Sequence, residues 1–190
     1  MKMEMSTSKV KLSRVTLADI EFLRNLRNSY IGKSVFQMDK IISSLEQEKW
    51  FSHLDQNLNF YFLVEDRASK ETVGYTSLVL ESNSPPDNKI AEVGIVLKNA
   101  ITSPLVSFHS KMLTLAYGFE HLHLAEIKAV FHPQNKAAMR FNEGFGFAFA
   151  EIQSNGFVVN RLTRKEFFSS KESLLKKFRF EKSEGLEFWL

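Results

Sequence analysis

Residues Ala129–Phe149 read A-V-F-H-P-Q-N-K-A-A-M-R-F-N-E-G-F-G-F-A-F, and the fold turns on how they are divided. The apolar run up to Phe131 has the character of a strand and ends at a His-Pro-Gln break. Asn135 is a preferred helix N-cap, and the chain from there to Glu143 keeps helical spacing until Gly144 stops it. Phe147 then opens a phenylalanine-lined strand. The stretch is strand, capped short helix, strand.

Outward from this core the pattern extends in both directions. Upstream, Glu92–Leu97 (E-V-G-I-V-L) is a strand, and Ser103 with Pro104 starts a helix that stays amphipathic through Y-G-F-E-H-L. Phe60–Val64 and Thr72–Val79 are two strands joined by the polar turn E-D-R-A-S-K-E, and S-N-S-P-P-D-N-K is a loop. Val10–Val15 alternates as a strand. From Thr16 the period changes, so that Leu17, Ile20, Leu23 and Leu26 share one helix face, and a second helix runs from about Ser43 to Leu54. Downstream, Phe147–Ile152 and Phe157–Leu162 form a hairpin across S-N-G. The order β-α-α-β-β-β-α-β-α-β-β predicts an α/β (α+β) fold with a mixed, mostly antiparallel central sheet and flanking helices. The domain is expected over 1–165, with 166–190 a basic appendage, helical over Lys171–Glu187, packed on the domain or on a partner subunit.

Bulk composition narrows the function. The 25 Lys+Arg against 22 Asp+Glu leave +3, too mild for a nucleic-acid binder. There is no cysteine, which removes disulfides, thiolate catalysis and cysteine metal sites. The opening M-K-M-E-M-S-T-S-K lacks a signal-peptide core and no run reaches membrane-spanning length, so a cytoplasmic location without membrane attachment is expected. Eighteen phenylalanines imply an aromatic-rich core or an apolar pocket.

Three local patterns resemble the GNAT (Gcn5-related N-acetyltransferase) superfamily. They are E-V-G-I-V-L followed by a helix ending A-Y-G-F-E-H-L-H-L, then I-K-A-V-F-H-P-Q-N-K-A-A-M-R-F-N-E-G-F-G-F, and finally the N-terminal T-L-A-D-I-E-F-L-R-N-L-R-N with the E-K-W-F helix. The third is similar to the branch of ribosomal-protein and nucleotide-sugar N-acetyltransferases. The resemblance spans about Lys9 to Leu162. It implies the acyl-CoA N-acyltransferase fold, in which Glu92–Leu97 splays from the parallel strand Ile127–Phe131. The exposed backbone would pair with the pantetheine of acetyl-CoA, and the amide of Val96 or Leu97 would donate to the thioester oxygen. The pyrophosphate would sit at the start of the next helix.

The chain departs from the family at that helix. The usual Gly-x-Gly positions fall on Ser103, Leu105 and Ser107, and Pro104 has no N–H. The donors left are the amides of Leu105, Val106 and Ser107 and the hydroxyls of Ser103 and Ser107; alternatively Ser103 only caps the helix and no CoA binds. A second departure is Asn142, which holds the position where the family often has a tyrosine to protonate the leaving thiolate. An amide can only hydrogen-bond the sulfur.

For a general base the first candidate is Glu92, which shares one sheet face with Gly94 and Val96; the bland reading is a strand-end charge in solvent. His132, three residues before Asn135, is the second, and is otherwise a surface histidine before a proline. Asn135 caps its helix and can also face the cofactor cleft. Trp50 and Phe51 either wall the acceptor site or belong to the core, and Arg24 and Arg27 either meet a phosphate-bearing acceptor or face solvent. His121 and His123 lack the carboxylates or cysteines of a metal site, so no metal is expected.

These readings combine into an acetyl-CoA-dependent N-acetyltransferase acting by direct attack of a primary amine, with an amino-sugar nucleotide as acceptor. A protein N-terminus as acceptor, or a GNAT-fold binding module without catalysis, stays open. Acetyl-CoA is the expected co-substrate, no nucleic acid or membrane partner is expected, and a homodimer is left open.

Overall fold

The computed structural model describes residues 4–33, 40–98, 103–180 and 187–189. Among them a nine-stranded sheet runs in the order β7-β8-β6-β5-β4-β3-β2-β1-β9. The strands are β1 (Glu4–Ser6), β2 (Val10–Arg14), β3 (Asn59–Asp66), β4 (Thr72–Leu80), β5 (Ile90–Leu97), β6 (Glu126–Phe131), β7 (Ala148–Ile152), β8 (Val158–Thr163) and β9 (Glu187–Trp189). Every neighbouring pair is antiparallel except β5 and β6. The helices are α1 (Ile20–Asn28), α2 (Ser44–Ser52), α3 (Pro104–Ala116), α4 (Lys136–Glu143) and α5 (Arg164–Lys177). The mixed sheet with flanking helices is the fold class read from the sequence. Among the described residues no helix is long and apolar enough to cross a membrane.

Local chemistry accounts for the element starts. Thr16 and Asp19 close a capping box over a 3-10 turn that leads into α1, and Ser43 with Glu46 does the same for α2. Ser103 caps α3 with Pro104 in the first turn, and Asn135 Oδ1 accepts from the Ala138 N–H at 3.0 Å to cap α4. Gly156, at φ +84, supplies the left-handed residue of the S-N-G hairpin.

The sheet separates two cores. One holds Val93, Val106, Leu113, Phe145, Phe167 and Phe178 with α3 and α5. The other gathers Val15, Leu23, Leu26, Tyr75 and Val96 under α1 and α2. Alternation along β5 sends Ala91 and Val93 to the first and Val96 to the second.

Three expectations are corrected. Helix α3 is not amphipathic over its second half, since His109–Ala116 is buried throughout. The sheet covers one side, and Phe178 and Phe180 cover another: His109 Nε2 lies 3.1 Å from the Phe178 carbonyl oxygen and its ring stacks on Phe180. The C-terminal helix begins at Arg164, not Lys171, and ends at Lys177, because Thr163 and Glu166 form a capping box at the end of β8. Residue 165, the expected domain boundary, therefore lies inside α5, whose Phe167 stacks on Phe119 at 4.8 Å. Short strands β1 and β9 extend the sheet beyond the elements read from sequence.

Candidate active site

The parallel pairing of β5 and β6 covers only Ile90–Glu126, Ala91–Ile127 and Glu92–Lys128. Beyond Glu92 the strands part. Which amides then face the gap follows from the ladder on the other side of β5. The Lys98 N–H bonds the Val73 carbonyl at 2.8 Å, and the Glu81 N–H bonds the Ile90 carbonyl at 2.9 Å. The β4–β5 register is unbroken between them, so the even-numbered residues of β5 spend their N–H and C=O on β4. Val93, Ile95 and Leu97 turn theirs to the gap. Val96, expected as an oxyanion donor, is corrected by this parity: its amide belongs to the pair with Tyr75. Leu97 keeps its N–H toward the gap, while its carbonyl accepts from the Tyr30 hydroxyl. On the far edge the Arg164 N–H bonds the Ala125 carbonyl, and the same parity turns Val130 to the gap.

This gap is the floor of a cleft of ≈ 820 Å³ walled by α1, α3 and α4. Of the residues singled out in the sequence, Arg27, Glu92, Val96, Leu97, Ser107, Asn135 and Asn142 line it; His132, Ser103, Leu105 and Val106 do not. His132 sits one residue past β6, where its Nδ1 accepts from the Gln134 N–H at 3.2 Å and its ring meets Phe157 edge-on. Val106 is buried in the core.

The first turn of α3 is closed on itself. The Leu105 N–H donates to Ser103 Oγ at 3.3 Å, and the Val106 and Ser107 N–H groups donate to the Ser103 carbonyl at 2.9 and 3.4 Å. The three amides expected to stand open at this helix start are thus corrected to engaged ones. The Ser103 hydroxyl is the one acceptor that a glycine there would lack; the carbonyl that engages the Val106 and Ser107 amides would remain.

Glu92 is solvent-accessible but recessed in the cleft, and burial among its neighbours pushes its carboxyl above the ordinary value. Lys128 opposes that shift and Glu81 adds to it. Beside Glu92, on the same sheet face, stand Val79, Ser77, Tyr75 and Tyr61. Burial raises both tyrosine hydroxyls, with Arg27 of α1 acting in the opposite sense, so they stay protonated donors. Trp50 packs edge-on against Tyr61 at 5.1 Å, and both Trp50 and Phe51 back the second core rather than lining the cleft. Arg24 instead pairs with Glu21.

Asn142 is buried and its Oδ1 has no hydrogen-bond partner, while its Nδ2 donates to the Ala138 carbonyl at 2.9 Å. An orphaned acceptor in a cleft costs about 1–3 kcal/mol, which a ligand N–H or S–H recovers. Lys111 of α3 also lines the cleft and is 2 % exposed. Sequence reading passed over Lys111, Tyr61 and Tyr75. A signal for the lysine was present: Phe108 and Leu115 lie at i−3 and i+4, which puts Lys111 on an apolar helix face. Among the described residues no group of three or more His, Asp or Glu gathers as a metal site.

Comparison with known proteins adds the family context. The model of the acetyltransferase (GNAT) domain matches residues 9–148. The fold is similar to that of FdhC, a nucleotide-linked sugar GNAT, with TM-score 0.74 and 18% identity over 93% of this chain and 97% of that one. It is also similar to spermidine N-acetyltransferase from Vibrio cholerae, solved with CoA and spermine (TM-score 0.71, 23% identity, 85% and 99% covered). A GCN5-related N-acetyltransferase from Brucella melitensis gives TM-score 0.69 at 17% identity, covering 96% and 90%. Among curated proteins, none matches the chain by sequence.

Proposed function

The chain belongs to the GNAT acetyltransferase family, and we propose that it moves an acetyl group from acetyl-CoA to the primary amine of a small anionic or sugar-like acceptor, an amino-sugar nucleotide being the first choice. The observation that carries the donor half is the parting of β5 and β6. A linear arm bearing amides matches the gap-facing N–H and C=O groups of Val93, Ile95 and Val130 and the unpartnered Oδ1 of Asn142. The charge of the walls supports the acceptor half. Arg27, Lys33, Lys98 and Lys111 line the cleft against one carboxylate, Glu92. A polyamine, with several positive charges, would be repelled there; phosphate groups would be attracted, and a flat ring would find Tyr61 and Tyr75.

In the proposed reaction the neutral amine attacks the thioester carbonyl from the sheet face that carries Glu92. That carboxylate takes the proton from nitrogen, directly or through one water, and its raised proton affinity suits a base. An N–H of Ile95 or Leu97 meets the developing oxyanion at the gap. Asn135 holds the start of α4 beside the donor.

The closed first turn of α3 supports a second reading, a binding module whose hold on CoA is weak. One experiment separates them. Calorimetry with acetyl-CoA, followed by thiol release over a panel of amino-sugar nucleotides, peptides and polyamines, is expected to show saturable binding and turnover of the sugar nucleotides above spermidine. Absence of saturable binding at millimolar acetyl-CoA overturns the transferase reading. Preference for a polyamine overturns the acceptor, and preference for peptides returns the protein N-terminus.

A further inference from the structure

The transfer described above leaves one proton unassigned. The departing sulfur needs it, and Asn142, at the position where a phenol would donate it, has an amide whose protons are not acidic. Lys111 opens into the same cleft. It is buried in α3, it takes part in none of the ion pairs among the described residues, and its Nζ lies 4.9 Å from the centre of the Phe147 ring. A lysine is almost never buried without a partner, so the position calls for an explanation.

Its level along β5 can be read from the neighbouring turn. Thr114 Oγ1, three residues on, lies 2.9 Å from Thr76 Oγ1, which donates to the Gly94 carbonyl at 2.9 Å. Helix α3 follows β5 and returns along it, so Lys111 stands about 4.5 Å toward the Leu97 end. That places it beside Ile95 and Val96, at the middle of the open gap. It approaches from the α3 face, whereas Glu92 approaches from the α1 face.

The surroundings make its proton labile. Burial alone lowers the ammonium to about 7. The charged and titratable groups on the cleft are Glu92 of β5, Arg27 of α1, Tyr30 and Lys33 in the turn after it, Lys98, Tyr61 and Tyr75. None of them offsets the effect of burial on Lys111. From α4 and β6 the cleft receives Phe141, Asn142, Ala129 and Phe131, which carry no charge.

We infer that Lys111 is the acid that protonates the leaving thiolate of CoA, an assignment that rests on the transferase reading. The bond from the acceptor nitrogen to the carbonyl carbon forms, the C–S bond breaks, and its electron pair stays on sulfur. The Nζ–H proton passes to sulfur and gives the thiol. The proton lost by nitrogen goes to Glu92. Solvent reprotonates Lys111 and takes the proton from Glu92 before the next turnover.

The absence of cysteine makes the test direct, because no protein thiol contributes to the thiolate signal of bound CoA. In Lys111→Met, an apolar chain of similar length replaces a buried ammonium. The thiol of bound CoA is expected to titrate about one pH unit higher in that variant than in the parent protein. With acetyl thioesters of graded thiol acidity, the parent is expected to turn over all at similar rates, and the variant to slow steeply as the thiol becomes less acidic. Equal thiol titrations and equal leaving-group dependence overturn the assignment and leave the transferase reading standing. A steep leaving-group dependence in the parent protein overturns it without any variant. If calorimetry finds no CoA binding to the parent, both readings fall together.

Discussion

The two stretches of backbone that frame the donor side of the cleft behave in opposite ways. Along β5, Val93, Ile95 and Leu97 point N–H groups into a gap that β6 does not fill. At the start of α3, the Leu105, Val106 and Ser107 amides are all turned back on Ser103. The first kind of opening is made by the departure of a whole strand, and no single side chain can close it. The second is closed by a helix turn, where the Ser103 carbonyl engages two amides and only the third, Leu105, depends on the serine hydroxyl. Donor recognition in this protein is accordingly expected to reside in the arm more than in the phosphates.

That contrast can be broken from the β5 side first. Glu92→Gln is expected to lower kcat/KM by about 100-fold, the worth of a general base. The part of the acid limb that reports the Glu92 carboxyl should vanish as well, leaving the part set by protonation of the acceptor amine. Because burial raises the Glu92 carboxyl, the parent rate falls with decreasing pH through a value above the ordinary carboxylate range. An unchanged rate and profile in Glu92→Gln dismisses the base.

A structural break follows from Gly74, opposite Leu97. A Cβ there would stand 2.2 Å from the Val96 carbonyl oxygen and 2.8 Å from Leu97 Cα. Gly74→Ala should therefore cost about 1–3 kcal/mol in denaturant unfolding, as overpacking does. It should also weaken acetyl-CoA binding by displacing the strand that floors the gap; full stability with full affinity would show that β4 and β5 can shift together.

The contrast is sharpened by shortening the donor. Acetyl-pantetheine keeps the arm and lacks the nucleotide, so its kcat/KM is expected to fall by less than about tenfold, under 1.4 kcal/mol. A thousandfold fall would place the main contacts at the phosphates after all. The smallest effect is expected from Ser103→Gly, which releases the Leu105 amide while costing the helix only a few tenths of a kcal/mol. Acetyl-CoA affinity should rise about threefold, the net worth of one hydrogen bond, and a drop would mean that the Ser103 hydroxyl is itself a contact.

What could be read in the sequence was local. The Asn135 and Ser103 caps, the loop S-N-S-P-P-D-N-K and the S-N-G hairpin each depend on a few adjacent residues, and their elements lie where those residues put them. The Thr163–Glu166 capping box was equally local, but it sits where a strand pattern was still running, so the start of α5 was displaced to Lys171. Other features are set across the sheet. Whether Val96 or Leu97 faces the gap depends on the register of β5 with β4, which no stretch of β5 reveals. Lys111 looks like an ordinary helix cation until the sheet and the C-terminal segment close around α3. Tyr61 and Tyr75 read as strand aromatics, and only their place on the sheet face that carries Glu92 makes them a wall.

One edge of the sheet carries a further consequence, for the order of assembly. Strand β1, Glu4–Ser6, pairs on one side with β2 and on the other with β9, Glu187–Trp189. During synthesis at about 5–20 residues per second, some ten seconds or more pass between the two strands leaving the ribosome. In that interval β1 is an unprotected edge, able to accept a strand from any neighbouring chain. Its brevity, three residues with Glu4 held by Lys11 at 2.9 Å, limits what such a stray pairing can gain.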